Sequence, residues 1–269
     1  MKQKMMALFL GICLICTACA GADKQGDKIE TPENQKEERI SEGIVPNITY
    51  ADYSQELKEE DTGTLLLAVE ENCPVVTVEG NEEAERLINR AFEQQHGKNE
   101  IKIQSYLDTA ESDFYSLEEE EIQNWEGYHY SYMYETMYNS GKILSLKAVQ
   151  KQEMGEEDTE QEVVAYSFYV PEGKLLTLYD VFSDESAART IVEQYIRETV
   201  TSEPYEKYLL EDYESYVSDI LTEDDFYLDE QGLVIICNTS LLTEEEAGVI
   251  EISVPYEALK DVINEQYLP

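Results

Sequence analysis

The sequence predicts an α+β protein, mostly antiparallel sheet with helices packed on it, in two small subdomains. Three observations carry this reading. Strand-like runs come in pairs joined by tight turns. In Val163–Phe182, β-branched and aromatic residues lead into Pro171-Glu172-Gly173, and the apolar pattern resumes at Leu175. Helix-spaced stretches fall between groups of strands, without the regular strand-helix alternation of a parallel doubly wound sheet. Beyond a leader and a polar stretch, roughly 225 residues remain, enough for a real core.

Lys2 and Lys4 precede an apolar run, Met5 to Cys16. It is too short for a comfortable transmembrane helix and suits a signal-peptide core. It ends in Cys16-Thr17-Ala18-Cys19, which resembles the cleavage site of bacterial lipoproteins, although Cys16 stands where that site usually carries Leu. Residues 1–18 are then the signal peptide and Cys19 the lipidated first mature residue, with an ordinary secretory signal cut at Ala18 or Ala20, or an uncleaved anchor, as the alternatives. Two or more acyl chains would hold the protein on the outer face of the cytoplasmic membrane. Residues 19–43 are polar and lack aromatics, a flexible tether with a reach of roughly 25 Å.

The formal charge is −40, from 59 acidic and 19 basic residues. Such a chain does not bind nucleic acid, which needs clustered Lys and Arg, and its field attracts cationic proteins. Cys73 and Cys237 sit in apolar strand patterns. They read as two separate buried thiols, with a disulfide as the alternative outside the cytoplasm.

In chain order, Thr64–Val69 and Val75–Val78 read as strands on either side of Pro74. Asn81 caps a helix with Ala84, Leu87, Ile88, Ala91 and Phe92 on one face, ending at His96-Gly97. Residues 99–125 read as irregular helical pieces. Tyr128–Tyr138 and Ile143–Val149 are strands about Asn139-Ser140-Gly141, and Gln150–Glu162 is a polar loop. After the hairpin, Ser183 caps a helix burying Ala188, Ile191, Val192, Tyr195 and Ile196. Pro204 opens another across Tyr205–Ile220. Phe226–Leu228, Leu233–Cys237 and Val249–Val254 are the last strands, and Pro255 opens a final helix.

Four segments carry a family resemblance. PVVTVEGNEEAERLIN (Pro74–Asn89) resembles the first of two domains found together in extracytoplasmic bacterial proteins. GKLLTLYDVF (Gly173–Phe182), DDFYLDEQGLVI (Asp224–Ile235) and EISVPYEAL (Glu251–Leu259) resemble the second. The set is similar to the exterior region of RsiV-type anti-sigma factors and to the non-catalytic N-terminal region of PdaC-type peptidoglycan deacetylases. The resemblance implies a PdaC-like domain over residues 44–150 and an RsiV-like domain over 151–269. Val149–Glu162 lacks the Gly-Gly-Ala-His that often stands ahead of the central hairpin. No catalytic domain and no sigma-binding segment is read in the chain. The resemblance therefore implies a non-enzymatic binding or sensing module, with a lysozyme-like cationic protein as partner and no cofactor. A cell-envelope glycan hydrolase using a carboxylate pair, and an accessory lipoprotein, are the alternatives.

The candidate site residues are few. Only His96 and His129 exist to serve a catalytic triad, and no Gly-x-Ser-x-Gly elbow or zinc spacing accompanies them. Tyr128, Tyr130, Tyr132 and Tyr134 alternate, so a strand places all four on one face. That face is either buried core or an exposed strip able to stack on sugar or anchor a partner.

Overall fold

The computed structural model describes residues 43–155, 159–221, 225–238 and 240–268. β1 (Asn47–Lys58) and β2 (Leu65–Thr77) form an antiparallel hairpin. α1 (Glu82–Phe114) and the single-turn α2 (Glu119–Ile122) carry the chain to β3 (Tyr128–Asn139), which runs parallel to β2. β4 (Ile143–Glu153), β5 (Thr159–Tyr169) and β6 (Lys174–Leu175) continue antiparallel, completing a sheet in sequence order. α3 (Leu178–Val181) and α4 (Glu185–Val200) follow. β7 (Phe226–Leu228), β8 (Gly232–Cys237) and β9 (Ile250–Pro255) form a second antiparallel sheet, and α5 (Tyr256–Leu259) ends the helices.

The alternation of side chains sorts these elements into layers. Phe92, Ala110 and Phe114 of α1 pack with Tyr130, Tyr132, Leu146 and Phe168 on one face of the first sheet. On its other face, Val163 and Ala165 meet Tyr227, Val234 and Ile236 of the second sheet. The opposite face of the second sheet, with Phe226, Leu233, Ile235 and Ile252, packs with Ala188, Val192 and Ile196 of α4. The order is helix, sheet, sheet, helix. β8 is covered on both faces, which is why it reads as an unbroken apolar run. β9 alternates buried and exposed, as its sequence does. Gly173, at φ +62°, closes the turn before β6, where a Cβ would lie 2.6 Å from Ala84 Cα.

The α+β class stands, and several elements differ from their sequence reading. β2 is one strand through Pro74, and β1 has no apolar alternation to announce it. α1 does not end at Gly97 but runs 33 residues. A mid-helix glycine costs about 1 kcal/mol, and burial of Ala110 and Phe114 beyond it offsets that. Asp184, not Ser183, caps α4, accepting from Ala187 N. Tyr205–Ile220 forms 3-10 turns in place of a helix. Its backbone bonds outward instead: Leu210 N donates to Leu242 O and Glu244 N donates to Tyr208 O. The 150/151 boundary falls inside β4, because β4 and β5 pair without a break from Ile143↔Tyr169 to Glu153↔Thr159.

Candidate functional site

The tyrosine strip is core. Tyr128, Tyr130, Tyr132 and Tyr134 lie under α1, none more than 9% exposed. Tyr128 Oη donates to Asp113 Oδ2 at 2.6 Å, and the Tyr132 and Tyr166 hydroxyls meet at 3.1 Å. Phe92 packs edge-on against Tyr134. The ligand-binding reading of these residues is therefore corrected: the first half of α1 meets Tyr134 through Phe92, and its unexpected second half covers Tyr130 through Tyr106 and Tyr128 through Asp113. Cys19 lies outside the described residues.

The histidines separate. His129 lies 3.8 Å from Glu70 and 3.7 Å from Glu153. His96 Nδ1 is 3.0 Å from Oε2 of the buried Glu71, and Asn99 Nδ2 donates to Glu71 Oε1 at 2.7 Å. Cys73 lines the same cavity, of about 10 Å³, room for about one water. Burial, then the charges of Glu71 and Glu93, push the Cys73 thiol up, away from the nucleophilic thiolate. Burial pushes the Cys237 thiol up to about 12, and both cysteines are free. Among the described residues no cluster of three His, Cys, Asp or Glu could hold a metal ion.

A groove of about 490 Å³ opens beside the first residues of β5. Its construction begins with the strand edge. At the far end of β5, Ser167 O accepts from Leu176 N beside β6. At Val163 an amide side chain replaces a strand. Val163 N donates to Asn238 Oδ1 at 2.8 Å, and Asn238 Nδ2 donates to Val163 O at 3.0 Å. Antiparallel alternation then aims the N–H and C=O of Gln161 and Thr159 the same way, into the groove. Among the described residues no strand pairs with that segment.

The walls are acidic and polar. Glu160 and Glu162 lie opposite Gln152 and Gln150 of β4, and Glu245 and Val249 add to the lining from the segment before β9. Gln150 Oε1 accepts from Lys102 Nζ at 2.6 Å, and that ammonium is 3.6 Å from Glu162. Burial, then the charges of Glu160 and Glu162, push the nearby Tyr106 hydroxyl up. Gln152 is 6% exposed and lines the groove, and its Oε1 is buried with no hydrogen-bond partner. A buried amide oxygen without a donor costs about 1–3 kcal/mol. It asks for a donor, and the carboxylates around it favour a cationic one.

Sequence reasoning took Gln150–Glu162 for a loop and missed this groove. No period announces it, because Gln150–Glu153 and Thr159–Glu162 are polar at every position.

Comparison with known proteins finds one family match and solved structures that share the fold. Residues 147–269 match the family described as the peptidoglycan GlcNAc deacetylase N-terminal domain, a non-catalytic domain. That segment contains the groove residues Gln150, Gln152, Glu160, Glu162 and Glu245. The fold is shared with a DUF3298 family member from Bacteroides fragilis, at TM-score 0.60 and 13% identity over 84% of this chain and 96% of that one. It is shared too with a DUF3298 family protein from Pseudomonas aeruginosa, at TM-score 0.54 and 9% identity over 85% of this chain and 98% of that one. The family match agrees with the PdaC-like resemblance of the sequence, but it falls on residues 147–269, where that resemblance implied the RsiV-like domain. No curated protein matches the sequence.

Proposed function

We propose that the chain is a surface-tethered, non-enzymatic binding module of the cell envelope. Its groove receives a cationic segment of a partner protein, and a lysozyme is the first partner to test. The observation that carries the reading is the buried, unpartnered Oε1 of Gln152 in a groove walled by Glu160, Glu162 and Glu245. The net charge of −40 supports it by raising encounter rates with basic proteins, and the groove supplies what a field alone lacks, a shaped place to bind. Lipidation at Cys19 belongs to the same proposal: it would hold the module at the membrane on the 19–43 tether, and the partner reaches it from outside.

Calorimetry with a lysozyme across a salt series tests this. The Debye length falls from about 10 Å at 0.1 M to about 3 Å at 1 M, so field-driven binding vanishes over that range. Binding to the groove weakens with salt but survives at about 0.5 M. Heat indistinguishable from that of an equally basic unrelated protein, or no heat at any salt, overturns the reading.

A further inference from the structure

We infer that the ligand enters the groove as an added β-strand on the free edge of β5, with basic side chains at every second position. This deepens the preceding reading and rests on it.

The first ground is how the fold treats its other strand edges. Asn89 accepts from Val76 N at 2.9 Å and donates to Val76 O at 2.7 Å. Asn72 accepts from Tyr134 N and donates to Tyr134 O at 3.1 Å. Asn238 does the same at Val163. In three places a side-chain amide stands where a neighbouring strand would stand. The third lies on the same edge as Gln161 and Thr159, two and four residues along. Those two aim the same donors and acceptors into open space. The Asn238 pairing thus marks the first rung of a ladder whose next rungs no strand fills among the described residues.

The second ground is the placement of charge. An added strand lies about 4.8 Å from β5, and side chains directly opposite each other sit about 5 Å apart. Glu160 and Glu162 point to one face of the sheet, Thr159 and Gln161 to the other. Residues of the added strand on the first face come within ion-pair reach of both carboxylates. Residues on the second face lie against Thr159, Gln161 and Val249, where small or β-branched side chains fit. At about 3.3 Å per residue the open edge takes four or five residues. The preferred occupant is therefore an extended segment alternating Lys or Arg with Thr, Ser or Val. Recognition through main-chain bonds with pockets for alternate side chains is an established mode of strand addition.

The probes are two peptides of equal composition and charge, acetyl-Lys-Thr-Lys-Thr-Lys-Thr-Lys-amide and acetyl-Lys-Lys-Lys-Lys-Thr-Thr-Thr-amide, titrated into the full chain at about 0.15 M salt. Strand addition predicts that the alternating peptide binds at least about tenfold tighter. Two methylated forms of it then read the hydrogen bonds directly, one methylated on every Thr nitrogen and one on every Lys nitrogen. In an antiparallel pairing the residues bonded to Gln161 share its face, so Thr methylation abolishes binding and Lys methylation spares it. In a parallel pairing the outcome reverses. Gln161→Pro on the protein removes an outward N–H while leaving the bonds to β4 in place, and lowers the affinity at least about tenfold. Should that variant misfold, the methylated peptides on the unaltered chain still decide. Equal affinities for the two isomers, or equal effects of the two methylations, overturn strand addition and leave a cation-binding groove. If neither peptide binds, both the inference and the reading of the groove fall.

Discussion

The two halves of β5 differ in what covers them, although one ladder to β4 runs through both. From Val163 to Tyr169 nearly every residue is buried, with Ala165 under the second sheet and Phe168 under α1. From Thr159 to Glu162 every residue is exposed. The pairing is the same, and the residues decide the rest. Val-Val-Ala-Tyr-Ser-Phe-Tyr gains from cover on both faces, whereas burying Thr-Glu-Gln-Glu would strip water from two charges. The ladder therefore holds acidic side chains on a rigid frame without drawing them into the core. Preorganisation of that kind serves a binding site more than it serves stability.

The sharpest way to break this contrast is to truncate each half in turn. Phe168 is fully buried. Phe168→Ala leaves a cavity between α1 and the sheet and costs about 3–5 kcal/mol. Glu160→Ala, on the same strand, changes stability by less than about 0.5 kcal/mol. Urea denaturation of both variants measures the difference. Comparable losses would mean that the halves are not distinct.

The point where the halves meet is next. Asn238→Ala leaves the N–H and C=O of the buried Val163 unpaired, at a cost of about 1–3 kcal/mol. The Val163 amide should then exchange its hydrogen faster than its neighbours in β4. Unchanged exchange would show that the asparagine does not close the edge.

Much of the covered half was legible in the sequence, and the open half was not. Asn81 announces α1, Asn139-Ser140-Gly141 announces the β3–β4 turn, and Leu233–Cys237 announces a strand. These signals are local. The reach of α1 past Gly97 is set by what lies beneath it, so the tyrosine period was readable but its cover was not. β1 is exposed at nearly every residue and carries no period at all. In the groove, Gln152 and Glu160 are neighbours only because β4 and β5 pair, and Asn238 reaches Val163 from 75 residues away.

Acid sharpens the comparison from the covered side. Glu251 of β9 accepts from Lys147 Nζ at 2.7 Å and from Tyr227 Oη at 2.6 Å, joining the two sheets above the covered half. Burial pushes its carboxyl up, but the hydrogen bonds from Lys147 and Tyr227 and the Lys147 charge outweigh this and hold it below the ordinary 4.5. Glu251 thus stays ionised in the fold where it would take up a proton in the unfolded chain. Its contribution is complete above that ordinary value and is lost as pH falls through the lower folded one. Denaturation midpoints from about pH 6 to pH 3 should fall less steeply for Glu251→Gln than for the wild type. Parallel curves would sever this link between the sheets.

The smallest expected effect on stability gives the strictest test of the open half. Glu160→Gln with Glu162→Gln removes two of 59 acids, and the fold should not register it beyond about 0.5 kcal/mol. Glu119→Gln with Glu120→Gln removes two from the exposed α2 and is its control. Both pairs lower the overall charge equally, so both slow association with a basic partner slightly and equally. A field without a site predicts nothing further. A groove predicts that only the β5 pair speeds dissociation, by about tenfold, because those carboxylates touch the bound segment and the α2 pair does not. The difference should persist at about 0.5 M salt, where long-range attraction is screened and short contacts remain. Stopped-flow dissociation of a lysozyme complex measures it, and equal off-rates for the two double variants would move the binding site away from β5.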